Sequence, residues 1–304
     1  MVKGTKNTEA EISGHYTMDG AGVRLLRVFG GPSSFKYTDP FLLLDYFGSS
    51  IPSEYEKGFP WHPHRGIETI TYQIKGRTDH EDSNGNKGTI FPGDVQDMSS
   101  GSGIFHEEMP SYFERDKNNE FSRSVLGLQL WINTPADRKM KTPQYAYNKG
   151  SSIPEYRTDS GSRIRIFAGT IDDVTGPFRS PYDLGLNYFH IRIGEGEKIE
   201  LNEMEGKRAI IFNFSGNVKV QNDTEVVEKK ALIFDRDGGR IIMEGRAKES
   251  DLILVAGNPT DEPIEWYGPV VMNTREQLNE AISDLRKGTF VREKAPLICS
   301  RVKN

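Results

Sequence analysis

The sequence predicts an all-β protein: two β-barrels of similar size in tandem, followed by one helix near the C-terminus. Three observations carry this expectation. Short apolar or alternating segments recur with turn residues about every eight to twelve positions, the spacing of sandwiches and barrels. The 31 glycines and 16 prolines among 304 residues supply those turns. Only one stretch, close to the C-terminus, repeats its apolar residues at helical spacing. The length suits two domains of ordinary size. A hydrophobic content of 35% with 10% aromatics can build a core for each.

Residues 1–12 are charged and polar, with no apolar signal core from Met1 to Glu11, and are expected to form a loosely attached tail. The first barrel is expected over residues 13–134. Val23 to Val28 is strand-like, and Phe41 to Tyr46 is an apolar run that reads as a buried strand. Glu68 to Lys75 alternates and is rich in Ile, Thr and Tyr. Ser83-Asn84-Gly85-Asn86 carries a hairpin turn, because Asn-Gly tolerates positive φ twice. Pro92-Gly93 marks another turn, and Gly101-Ser102-Gly103 lets the backbone bend sharply before His106. Val125 to Ile132 is a further strand, and no amphipathic helix is expected in this half.

Residues 135–160, with Ser151-Ser152, Pro154 and several charges, read as a connection. The second barrel is expected over residues 161–272. Its strands are Ile164 to Ala168, Leu186 to Ile193, Ala209 to Phe214, Val218 to Gln221, Ala231 to Phe234, Ile241 to Glu244 and Leu252 to Val255. The helix runs from Thr274 to Lys287 within the last segment, 273–304. Leu278, Ala281, Ile282 and Leu285 give it one apolar stripe. Thr274 with Gln277 forms a capping box and Gly288 supplies the stop, so a structural role is expected.

The net charge of −5 argues against a dedicated nucleic-acid binder, which would show a basic face. No run of about 18 apolar residues exists, so no membrane span is expected. A single cysteine, Cys299, excludes an intrachain disulfide and a cysteine-based zinc site. Its position in an apolar tail segment reads as inert. This composition fits a reducing compartment: the cytoplasm, or also the nucleus in a eukaryotic cell.

The chemistry concentrates between Gly58 and Met109, which hold four of the six histidines. His62 and His64 are two residues apart, and so are His106 and Glu108. Residues i and i+2 of a strand point to one face, so each pair can aim both side chains at one point. Glu107 faces the other way. Neighbouring strands would bring three imidazoles and one carboxylate together. That set suits iron, copper, nickel, manganese or zinc. The remaining histidines read as structural: His15 and His80 as solvated, and His190 as a satisfied core or rim residue. Glu114 to Asn119 reads as an exposed charged loop, and Glu228-Lys229-Lys230 as a solvated turn.

His62-Pro63-His64, then Glu68 and Gly76, resembles the first metal motif of the cupin superfamily. The wording of Gly58-Phe59-Pro60, His62-Pro63-His64-Arg65-Gly66 and Glu68-Thr69 resembles the pirin family more particularly. So do Asp39-Pro40-Phe41-Leu42-Leu43-Leu44-Asp45, Pro92-Gly93-Asp94, Gly103-Ile104-Phe105-His106-Glu107-Glu108-Met109-Pro110 and Leu128-Gln129-Leu130-Trp131-Ile132-Asn133. Gly268-Pro269-Val270-Val271-Met272-Asn273-Thr274 fits the same family, so the resemblance runs from roughly residue 20 to 290. It implies a bicupin, two cupin-type barrels with metal in the first. Many cupins place their carboxylate ligand where Glu68 stands. In pirins it follows the third ligand histidine by two residues. The implied ligands are therefore His62, His64, His106 and Glu108, with Glu68 either a further ligand or, more in keeping with the family, a salt-bridged residue or one that orients a ligand imidazole. Two positions depart from the family wording. Trp61 stands where a small or acidic residue is common, and is expected to stack over the cavity or cap the barrel mouth. Tyr267 stands where pirins often carry a histidine.

Four protein ligands leave one or two positions open on a metal that prefers five or six, the mark of a working site. The positive centre favours a deprotonated enediol or flavonol oxygen, and Glu108 is the natural general base. The resemblance implies quercetin 2,3-dioxygenase chemistry on flavonol-like substrates with O2. Iron(II) is the expected metal, and manganese, nickel, copper, cobalt and zinc are the alternatives. It also offers another class of role: an iron-dependent regulator acting on a protein partner, either a transcription regulator or a metabolic enzyme. A metal-loaded barrel without turnover is the third reading.

Overall fold

The structure, a computed structural model, describes residues 4–113, 123–178, 182–221 and 224–293. Cys299 and the charged stretch Glu114–Asn119 lie outside the described residues. The chain divides into two compact units. One holds His15–Phe35, Phe41–Ser151 and the residues from Asp261 onwards; the other holds the residues before His15, Lys36–Pro40 and Ser152–Thr260. Among the described residues, no helix is long and apolar enough to cross a membrane.

Each unit is cupin-like, with most of its strands divided between a seven-stranded and a four-stranded antiparallel sheet, plus a two-stranded one, rather than running round one closed barrel. In the first unit the larger sheet runs Gln144–Asn148, Val95–Ser99, Ile67–Lys75, Val125–Asn133, Phe41–Ser49, Val23–Gly30, His15–Asp19. The smaller runs Phe59–His64, Ile104–Ser111, Arg77–Asp82, Lys87–Ile90. Two of these strands, side by side at the end of the smaller sheet, carry both histidine motifs. The second unit repeats the plan, with Arg208–Ser215, Glu249–Gly257 and Asn187–Gly194 at the centre of its larger sheet.

The two interiors differ in their polar content. The second unit is filled with hydrocarbon, including Ile166, Phe189, Ile191, Ile211, Val218, Leu232, Phe234, Met243, Leu252 and Leu254. The first buries Asp45, His64, Thr69, Thr71, Gln73, Thr78, His80, Asp82, His106 and Glu108. Polar groups withdrawn from water are costly unless they are hydrogen-bonded or bind something. The first unit is therefore the one whose interior offers a candidate site.

Several expectations need correction. The segment read as a tail contains the strand Thr8–Ser13, which pairs with Lys230–Phe234 in the second unit, Ala10 opposite Ile233 and Ile12 opposite Ala231. Its glutamates meet cations, Glu9 with Arg208 and Glu11 with Lys230. Its charge thus belongs to ion pairs on an edge strand rather than to a free tail. Lys6 is buried, and its ammonium donates to the carbonyls of Lys207 and Asp235 at 3.0 and 2.9 Å. A helix, Pro32–Thr38, stands where none was expected; seven residues are too few to display a helical repeat. The stretch read as a connection contains the strands Gln144–Asn148 and Glu155–Arg157.

The C-terminal helix spans Arg275–Lys287, with both halves of the Thr274/Gln277 capping box formed and Gly288 left-handed at φ 71°. Leu278 and Ala281 pack on Val270, Met272 and Phe290. Thr274→Ala should lower the unfolding free energy by about 0.5–2 kcal/mol, with Thr274→Ser close to the parent. Denaturant titration checks this; equal loss in both variants would show that the hydroxyl cap contributes nothing.

Candidate metal centre

Strands Phe59–His64 and Ile104–Ser111 run antiparallel, with His106 opposite His62 and Ile104 opposite His64. His62 and His64 share one face of their strand, as the i, i+2 spacing requires. The chain leaves His64 through Gly66 at φ 77°, where a Cβ would strike the Val271 carbonyl. It reaches His106 after Gly103 at φ 136°, where a Cβ would strike the Phe290 carbonyl. Only glycine combines that backbone with that approach.

The three imidazoles form a compact group. Ring centroids are 4.3 Å apart for His62–His106 and 4.8 Å for both His62–His64 and His64–His106. One nitrogen from each lies within 4.8 Å of the other two. That is close to the span of two metal–nitrogen bonds of about 2.0–2.1 Å. His62 Nδ1 is 2.9 Å from the Pro60 carbonyl and His64 Nδ1 is 3.2 Å from the Pro269 carbonyl. A carbonyl only accepts, so Nδ1 carries the hydrogen and Nε2 keeps its lone pair for a metal. His106 Nε2 is buried with no partner among the described residues. Burial holds all three below the usual imidazole range; His64 and His106 lie well below it, because neighbouring imidazoles add to the effect there. The rings are therefore neutral, the form that ligates.

Two buried cations brace the motif. Arg65 donates to the carbonyls of Ser102 (2.7 Å) and Phe290 (2.8 Å) and to the Asp284 carboxylate (2.9 Å). It thereby ties the first histidine motif to the glycine loop before His106 and to the C-terminal helix. Lys139 uses all three ammonium hydrogens, on Gly66 O (2.7 Å), Asn133 Oδ1 (2.7 Å) and Val271 O (3.1 Å).

Glu108 is buried and faces inward, while Glu107 on the same strand is half-buried and faces the other way. A register shift separates His106 from Glu108, and the Glu108 carboxylate falls outside the group of three mutually close nitrogens. Its Oε1 lies 3.1 Å from Thr71 Oγ1, and the same hydroxyl lies 2.5 Å from Gln129 Oε1. One hydroxyl hydrogen serves one acceptor. The chain Gln129 to Thr71 to Glu108 closes when the Gln129 amide nitrogen faces Thr71. Burial pushes the Glu108 carboxyl up to about 7, against the pull of the Thr71 hydrogen bond.

The remaining candidates fall elsewhere. Glu68 stands three positions before the inward-facing Thr71, hence on the opposite face of its strand, where it and the buried Asp97 interact. It therefore faces away from the histidines rather than orienting one. Trp61 alternates with His62, so it points outward, 46% exposed, and does not cover the cavity. Tyr267 is also exposed. His80 is not solvated: it is buried opposite Glu108, 2.5 Å from the Tyr145 hydroxyl. His190 is buried and bonded to Asp251 at 2.8 Å.

His62, His64 and Glu108 line a pocket of about 740 Å³. Its apolar walls include Leu25, Leu43, Phe47, Phe59, Trp131 and Trp266. Trp131 meets His64 edge-on at 5.0 Å, and its indole N–H is buried without a partner among the described residues. Arg27, Asp45 and Asp19 lie on the same wall system. The sequence flagged none of Trp131, Thr71, Arg27 or Asp45 as site residues. The inward phase of their strands was the only signal for them.

Comparison with known proteins places this geometry. Residues 22–132 match the family model Pirin, and residues 188–291 match the model of the pirin C-terminal cupin domain. A Thermoplasma acidophilum protein named "putative quercetin 2,3-dioxygenase" is 45% identical over 83% of this chain and 99% of its own. Human pirin is 33% identical, covering 99% of both chains. The crystal structure of quercetin 2,3-dioxygenase from Acinetobacter baumannii superposes with a TM-score of 0.86 at 31% identity, over 96% of this chain and 100% of that one.

Proposed function

The chain belongs to the pirin family, and from that premise we propose that it is a mononuclear iron(II) dioxygenase of the quercetin 2,3-dioxygenase type, cleaving flavonol-like substrates with O2. One observation carries the reading. Three neutral imidazoles, two with their Nδ1 hydrogens on carbonyls, converge beside a largely apolar pocket that the buried Glu108 also lines. The orphaned His106 Nε2 is what a metal ligand looks like without its metal. Three histidine nitrogens with a carboxylate fit iron(II), and also manganese, nickel, copper, cobalt and zinc. His62, His64 and His106 would hold the metal, and the inward-facing Glu108 would supply the carboxylate of the set.

When bound, the metal lowers the pKa of a coordinated hydroxyl and activates dioxygen. The chain's own residues do the rest. Trp131, Phe47 and Leu25 clamp an aromatic body and exclude water. Glu108 accepts the substrate's hydroxyl proton, and Thr71 holds the carboxylate that receives it.

The test is direct. Iron-loaded protein mixed with a flavonol in air should bleach the flavonol absorbance while consuming oxygen in step. If fully iron-loaded protein takes up no oxygen with any flavonol, this reading falls. The iron-dependent regulator acting through a protein partner then takes its place.

A further inference from the structure

We propose that Arg27, Asp45 and Asp19 form a recognition site for a neutral hydroxyl group on the part of the substrate that does not touch the metal. The proposal rests on the dioxygenase reading for its substrate class.

Arg27 Nε donates to Asp45 Oδ1 at 2.9 Å. Its Nη2 donates to Asp45 Oδ2 at 2.8 Å and to Asp19 Oδ2 at 2.7 Å. The second terminal nitrogen, Nη1, makes no hydrogen bond with the described residues. All three side chains line the pocket that His62, His64 and Glu108 line. They belong to the seven-stranded sheet, whereas the histidines belong to the four-stranded one. A substrate held by an oxygen near the histidines thus meets a second polar anchor on a different wall. The apolar Leu25, Leu43 and Phe47 are close neighbours of that anchor in sequence and share the pocket.

A purely structural pair is a weak explanation. Asp45 is 6% exposed, and burying an ion pair in an otherwise apolar wall is seldom stabilising compared with hydrocarbon of the same shape. The pair is also incomplete as a closed structural unit, because one donor edge of the guanidinium is left over.

The charges select the ligand. One guanidinium and two carboxylates sum to −1, which disfavours a carboxylate on the substrate. A hydroxyl suits both groups: its oxygen accepts from Arg27 Nη1, and its hydrogen goes to Asp19, whose side chain is about half exposed. The class is a polyphenol with hydroxyl groups on a ring remote from its metal-binding oxygen.

The test uses iron-loaded protein and three flavonols: one with hydroxyls on the pendant phenyl ring, one with that ring bare, and one bearing a carboxylate there. Loss of the hydroxyls should lower kcat/KM by about 10- to 100-fold. That is less than a fully buried hydrogen-bonding site achieves, because the Arg27 side chain is still 23% exposed. The carboxylate should be the poorest of the three. In Arg27→Gln the ratio of hydroxylated to bare substrate should fall toward one. Equal efficiency on hydroxylated and bare flavonols in the parent overturns the proposal, as does a preference for the carboxylate. If Arg27→Gln does not fold, the parental ratios decide alone. If the parent turns over none of them, the dioxygenase reading fails. Equilibrium binding of the same three compounds, read by tryptophan fluorescence, then decides the recognition site on the same order of preference.

Discussion

Alanine at His62, His64 or His106 is expected to take bound iron from about one atom per chain to a small remnant, while alanine at His190 leaves it unchanged. Structural four-ligand metal sites are worth roughly 10–16 kcal/mol, so one ligand accounts for roughly 3 kcal/mol, about two decades in affinity. The nearest further histidine, His80, is held by the Tyr145 hydroxyl at 2.5 Å, so it is not expected to restore a lost ligand. His190 is in the other unit, bonded to Asp251, and the interior of that unit is aliphatic and aromatic. Elemental analysis of each purified variant measures the effect, with circular dichroism to show that the fold survives. Equal loss in His190→Ala, or two metals in the parent, would sink the assignment of a single site.

The second large effect concerns turnover rather than metal. Glu108→Gln keeps the size and one oxygen donor but is a far weaker base. General-base assistance typically contributes about 10²–10⁴-fold, so flavonol turnover per bound iron should fall by that order. Burial pushes this carboxyl up to about 7, which is the direction of a stronger base. Glu107→Gln should match the parent, because that side chain faces away from the pocket. Oxygen uptake normalised to iron is the measurement. A parental rate in Glu108→Gln would remove Glu108 from the proton transfer.

The histidine pairs were legible because strand geometry leaves no freedom: i and i+2 share a face, whatever surrounds them. The helix was legible for the same kind of reason, with a cap, a stripe and a stop all agreeing. The interior of the metal-side unit was not. The strand Arg77–Asp82 is polar at every position, yet Thr78, His80 and Asp82 are buried and the other three are not. Where the inner face is polar, hydropathy loses its contrast, and His80 reads as a solvated residue. Arg27 and Asp45 were hidden in the same way, as charges that sit inward on strands. The register shift between His106 and Glu108 leaves no pattern at all, because it depends on how the neighbouring strand pairs. The strand Thr8–Ser13 was missed because its glutamates are balanced by cations about 200 residues along the chain.

The hydrogen-bond acceptors behind His62 and His64 are main-chain oxygens, those of Pro60 and Pro269. Every amino acid supplies that atom. A library of point substitutions would therefore find the imidazoles and miss what aims them, since exchanging either proline alters ring and torsion but never deletes the acceptor. The aim of both rings is inherited as backbone shape. Relatives can drift in sequence at these two places and still present the same nitrogen. The atom itself becomes visible to experiment only through semisynthesis, with an ester or thioamide placed in the chain.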